Sequence, residues 1–111
     1  MKLPADSVIA PEKLSRYLLV RLTRGDKSGF LALAGFGQGN SAELEKALRE
    51  QVLTQEAVPV ERNKFGEVFE IRGRITGPNG RVLSVRTIWM TEHLSGQTKF
   101  ITLIPERQIA Q

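Results

Sequence analysis

Cationic and hydroxyl side chains recur at three places in the chain: Arg24, Lys27 and Ser28 around an expected helix start, Arg86 beside Thr87, and Thr102 near the end. This set suits phosphate. Ammonium and guanidinium groups neutralise anionic oxygens, hydroxyls donate to them, and a helix start adds free backbone N–H groups. RNA can be cut by attack of its own 2′-hydroxyl, without a metal. That reaction requires a base or positioning group for the hydroxyl, and donors that stabilise charge on the phosphorane. The residues above supply the second requirement. A lysine meets the first only where desolvation or neighbouring cations lower its pKa. Trp89 can stack on a base, or pack in the core, since it shares a strand face with Leu83 and Val85.

Other chemistries drop out. The chain has 111 residues, no cysteine and one histidine, which removes disulfides, thiol catalysis, Cys-ligated zinc and any two-histidine mechanism. His93 reads as a solvated loop residue. Gly35, Gly37 and Gly39 are spaced two apart and match neither a dinucleotide fingerprint nor a P-loop. Glu67, Glu70 and Glu92 define no carboxylate pair without geometry. No cofactor and no metal site is expected. The longest apolar stretches, residues 30–34 and 101–104, are far short of the ~20 positions a membrane span needs. The first residues lack the apolar region of a secretory signal, so a cytoplasmic location is the expectation.

The net charge is +4. Residues 1–59 hold 8 basic and 7 acidic side chains, and residues 60–111 hold 8 and 5, giving +1 and +3. The excess therefore sits in the second half. Arg72 and Arg74 alternate on one expected strand, and Arg81 and Arg86 lie on the next. One basic face results, read either as attraction to polyanions or as the solvated outer face of a sheet.

The elements that must carry these groups follow from periodicity. Leu14, Tyr17, Leu18 and Leu22 recur at helical spacing after Pro11, which suits a first helical position. Asp26 is the expected N-cap of a short second helix carrying Phe30, Leu31, Leu33 and Ala34. Glycines at 35, 37 and 39 then end it. A third helix starts at Asn40 with Glu43 as capping box, carries Leu44, Ala47, Leu48 and Val52, and pairs Glu45 with Arg49. After Pro59 the period falls to 2. Residues 66–76 and 81–91 alternate as strands around the turn Gly77-Pro78-Asn79-Gly80. Residues 98–104 form another strand, ended by Pro105, and residues 57–62 can add an edge strand. The expected fold is one α+β domain over residues 1–111, with two or three N-terminal helices on one face of a three- to four-stranded antiparallel sheet.

The segments Lys2-Leu3-Pro4-Ala5-Asp6, Pro11-Glu12-Lys13-Leu14, Tyr17-Leu18-Leu19 and Gly35-Phe36, with Lys27 three residues before Phe30, carry a resemblance. So do Asn79-Gly80-Arg81 and Val85-Arg86-Thr87-Ile88-Trp89. Over nearly its whole length the chain resembles a small bacterial domain family of unknown function. That resemblance implies stand-alone proteins and C-terminal parts of toxin-like proteins, with a layout similar to the barnase, EndoU, colicin and RelE ribonucleases. It places the family's basic residue on Lys27, its strand motif on Arg86, Thr87 and Trp89, and its final-strand threonine on Thr102, so Lys27, Arg86 and Thr102 are the expected catalytic residues. Trp89, by its ring, and Arg24, Arg72 and Arg74, by their charge, are the expected RNA contacts. The sequence departs from the family pattern at Ser28-Gly29 and after Thr102, where the usual tyrosine is missing. Two functions follow as expectations. One is a metal-independent ribonuclease toxin acting on RNA. The alternative is a non-enzymatic interaction module, an antitoxin or immunity-type partner; a toxin would itself need such a cognate inhibitor. A third reading is a structural protein with no ligand.

Overall fold

The computed structural model describes residues 1–24 and 26–106. Helices come first and the sheet follows, an α+β fold. α1 (Pro11–Lys13) opens on proline, whose missing N–H costs nothing in a first turn, and widens into a π-helical turn, Leu14–Leu18. It buries Leu14 and Leu18. The expected continuation to Leu22 is not formed, because the Leu22 N–H donates to Asp26 Oδ1 at 3.0 Å and turns the chain. α2 is Ser28–Ala32, and Lys27 rather than Asp26 stands at its cap position. Asp26 still accepts a hydrogen bond from the Ser28 hydroxyl at 2.7 Å.

α3 (Ser41–Ala47) and the π-helical turn Leu48–Val52 that extends it bury Leu44, Ala47, Leu48 and Val52, the four positions at helical spacing. The Glu45–Arg49 ion pair forms at 3.0 Å. The capping box does not. Asn40 Oδ1 accepts the Gly37 N–H at 2.7 Å and Asn40 Nδ2 donates to the Gly35 carbonyl at 2.9 Å. A short amide side chain can serve either a helix cap or the loop before it, and here the loop takes it.

Four strands, β1 (Val58–Arg62), β2 (Gly66–Thr76), β3 (Val82–Glu92) and β4 (Thr98–Pro105), form an antiparallel sheet in that order. Alternation decides the faces. Phe69, Ile71, Ile75, Leu83, Val85, Trp89, Phe100 and Leu103 are buried in one cluster with the leucines of the helices, and Thr87 is a buried polar residue on the same face. The Thr76 N–H donates to Gln51 Oε1 at 2.8 Å, tying the end of β2 to α3. The opposite face carries Glu70, Arg72 and Arg74 from β2 and Arg86, Ile88 and Met90 from β3.

The turn between β2 and β3 also docks the hairpin on α2. Asn79 Nδ2 donates to the Leu33 carbonyl at 3.0 Å, and a Cβ on Gly77 would overlap the Ala34 carbonyl. Gly80 has φ +87°, a conformation side-chain-bearing residues rarely adopt. Beyond β4, Val8 runs parallel to Lys99: its N–H donates to the Thr98 carbonyl and its carbonyl accepts the Phe100 N–H, both at 2.8 Å. That strap covers the start of the β4 edge and delivers the chain into α1 beside residues 101 and 102. Among the described residues no helix is long and apolar enough to cross a membrane.

Candidate functional site

β4 changes register against β3 partway along. Thr102 pairs with Ile88 but Phe100 pairs with Trp89, so Ile101 has no partner. Such a bulge bends a strand and re-aims its side chains. At this point the Lys27 ammonium, from the loop before α2, donates to Thr102 Oγ1 at 3.0 Å and to the Tyr17 hydroxyl at 3.2 Å. Three elements far apart in sequence thus place three polar groups together: Tyr17 from the π turn after α1, Lys27 from a loop, and Thr102 from the sheet. All three are half-buried.

The ammonium lies 5.3 Å from the centre of the Tyr17 ring, with Lys13 Nζ at 6.0 Å from the same ring. Both cations sit at cation–π range. The Tyr17 hydroxyl has its pKa lowered from the ordinary 10.0, first by hydrogen bonding from Thr102, then by that from Lys27, with the charges of Lys27 and Lys13 adding and partial burial opposing. These are the influences that favour a phenolate. An open groove of about 590 Å³ runs alongside, lined by Ala10, Glu12, Lys13, Arg16, Tyr17, Ile101 and Thr102. A volume of this order accommodates a nucleotide-sized ligand. The arrangement offers an anion three cations, Lys13, Arg16 and Lys27, two hydroxyls, and apolar surface from Ala10 and Ile101.

The remaining sequence candidates are placed elsewhere. Arg86 is turned toward β2, where its Nε donates to Glu70 Oε2 at 2.8 Å. Arg72 reaches the other oxygen of Glu70 at 3.3 Å and Glu106 at 3.5 Å. Arg72 and Arg86 face each other across the strands. Like charges so placed repel, and the carboxylates between them account for the arrangement. The basic face is therefore largely answered by its own acids. Arg74 is exposed on that face and Arg24 is exposed in the loop before Lys27.

Trp89 is a correction. Its side chain is 0% exposed, packs edge-to-face on Phe100 at 5.2 Å, and donates its indole N–H to Thr87 Oγ1 at 2.8 Å. Thr87 in turn donates to the Ile71 carbonyl at 3.1 Å. An indole with its whole surface in the core cannot stack on a base. His93 is exposed in the β3–β4 turn, its Nε2 3.2 Å from the Asn63 carbonyl oxygen.

Tyr17 is the site residue that periodicity hides. At helical spacing with Leu14 and Leu18 it reads as core, yet a half-buried tyrosine hydroxyl needs a polar partner, and Lys13 and Arg16 flank it on the same element. That was the available signal. The chain belongs to a family described as a domain of unknown function, DUF6883, which it matches over residues 3–107. No curated protein and no solved structure matches it.

Proposed function

We propose that the chain binds RNA in the groove between α1 and β4 and cleaves its phosphodiester backbone without a metal. The observation that carries this reading is the Lys27–Thr102 hydrogen bond at 3.0 Å, which brings a cation and a hydroxyl, 75 positions apart, to the lip of a nucleotide-sized groove. A scissile phosphate displacing that hydrogen bond meets the Lys27 ammonium and the Thr102 hydroxyl as donors to its non-bridging oxygens. Lys13 and Arg16 lie along the groove for flanking phosphates. Charge on the phosphorane is stabilised by groups already in place, the main source of rate in such sites. The 2′-oxygen attacks phosphorus and the bond to the 5′-oxygen breaks. A cyclic phosphate and a 5′-hydroxyl result, with one proton taken from the 2′-hydroxyl and one given to the leaving oxygen.

Of the residues expected to be catalytic, Lys27 and Thr102 keep that role in this reading, while Arg86 supports the sheet through Glu70. Arg24 serves as an outlying phosphate contact. Expression would arrest growth, and an inhibitor protein, encoded next to it, would protect the cell. Purified protein incubated with tRNA and mRNA in EDTA should yield fragments ending in cyclic phosphate. Intact RNA, together with normal growth on expression, would contradict the reading.

A protein-binding role is the second reading, and one observation favours it: every residue of β1 is exposed, with Val58 at 57% and Val60 at 52% on an open sheet edge. Copurification of a neighbouring gene product with the wild-type chain, lost on changing Val58 and Val60 to lysine, would support it.

A further inference from the structure

We infer that Tyr17 is the group that takes the proton from the 2′-hydroxyl; this rests on the cleavage reaction proposed above and supplies the one component that reaction lacked. The Tyr17 hydroxyl shares the Lys27 ammonium with Thr102 Oγ1 at 3.2 and 3.0 Å, so a phosphate bound between Lys27 and Thr102 lies beside the phenol oxygen. The adjoining ribose then enters the groove that Tyr17 itself lines. A base must lie within hydrogen-bond reach of the proton it removes, and no carboxylate or imidazole among the described residues shares this cluster. Glu12 lines the groove but makes no hydrogen bond to Tyr17, Lys27 or Thr102, and His93 lies in the turn beyond β3.

The groups facing the phenol favour its anion. Lys13 comes from α1, Lys27 from the loop before α2, and the Thr102 hydroxyl from β4, with Arg16 also on the groove wall. Glu12 is the opposing charge on that wall. In the step, the O–H bond of the ribose breaks and a new O–H bond forms on Tyr17. The Lys27 ammonium is placed to give a proton to the leaving 5′-oxygen. Proton exchange between Tyr17 and Lys27, already hydrogen-bonded, restores both groups. No other reactant is consumed.

Tyr17 is the single tyrosine of the chain, so the phenolate absorbance band reports on it alone. Titration of the wild-type protein should show a midpoint below that of free tyrosine, and Lys27→Met and Thr102→Val should each raise it. A midpoint at the free value, unmoved by both changes, would overturn the inference whether or not RNA is cut. With cleavage established, Tyr17→Phe should lower kcat at least about 100-fold with KM little changed, and should abolish the rising limb of the pH–rate profile. Tyr17→Phe cutting at the wild-type rate, with the same profile, would overturn the inference and leave the ribonuclease reading intact. Wild-type protein that shows a depressed midpoint and cuts no RNA would overturn the reaction, and the proton transfer with it.

Discussion

Lys27 and Thr102 meet at 3.0 Å across 75 positions of chain, and they do so because β4 slips by one residue against β3. Paired in unbroken register, β4 would alternate strictly and present its side chains at right angles to the sheet. The slip leaves Ile101 unpaired just where α1 and the loop before α2 pass the strand. The sheet thus supplies a fixed hydroxyl, and the helical half supplies the cation and the phenol.

Arg86 and Glu70 form a partly buried pair, with side-chain exposures of 37% and 14%. Arg86→Ala should lower stability by about 1–2 kcal/mol, because it strips Glu70 of its better partner, and should leave RNA cleavage near the wild-type rate. Thermal unfolding and a cleavage assay on the same preparation check both. Unchanged stability with lost cleavage would move Arg86 into the site.

Thr87 links Trp89 to Ile71 inside the core. Thr87→Val keeps the shape and removes both hydrogen bonds, leaving the indole N–H unpaired. The expected cost is about 1–3 kcal/mol in urea unfolding. Trp89 is the one tryptophan, so its fluorescence should also shift. Wild-type stability in this variant would show that the pair contributes nothing.

Asp26 has its carboxyl pKa lowered from 3.8, first by the Ser28 hydroxyl and next by the Leu22 N–H. A depressed acid binds its proton less readily in the native state than in the unfolded one. Its contribution is therefore complete above the unfolded value and fades as pH falls through the native one. Asp26→Asn should flatten that part of the acid-unfolding curve. For Tyr17, lowered from 10.0, the same rule makes stability rise as pH climbs through the native value toward the unfolded one, and Tyr17→Phe should lack that rise. Melting temperature against pH measures both.

The sheet was readable in the sequence because a half-buried strand must alternate, and residues 69–76 do so. The turn at residues 77–80 was readable from proline and glycine. Its register even implies that Arg72 faces Arg86 and that Glu70 lies on the diagonal, so the answered basic face could have been foreseen. The slip in β4 could not, since Phe100, Ile101, Thr102 and Leu103 carry no mark of which residue drops out of register. Without it Thr102 has no reason to meet Lys27. Helix caps failed for a different reason: Asp26 and Asn40 had two local uses each, and the tertiary path of the loops chose between them.

A DNA oligonucleotide carrying one ribose at a defined position isolates attack by the 2′-oxygen, because a single 2′-hydroxyl is then the only such nucleophile in the substrate. Wild-type protein in EDTA should cut that strand after the ribose alone, leave the all-deoxy strand whole, and lose the activity in Lys27→Met while keeping its melting temperature. Cutting of both strands, an uncut ribose strand, or full activity in Lys27→Met would contradict the account.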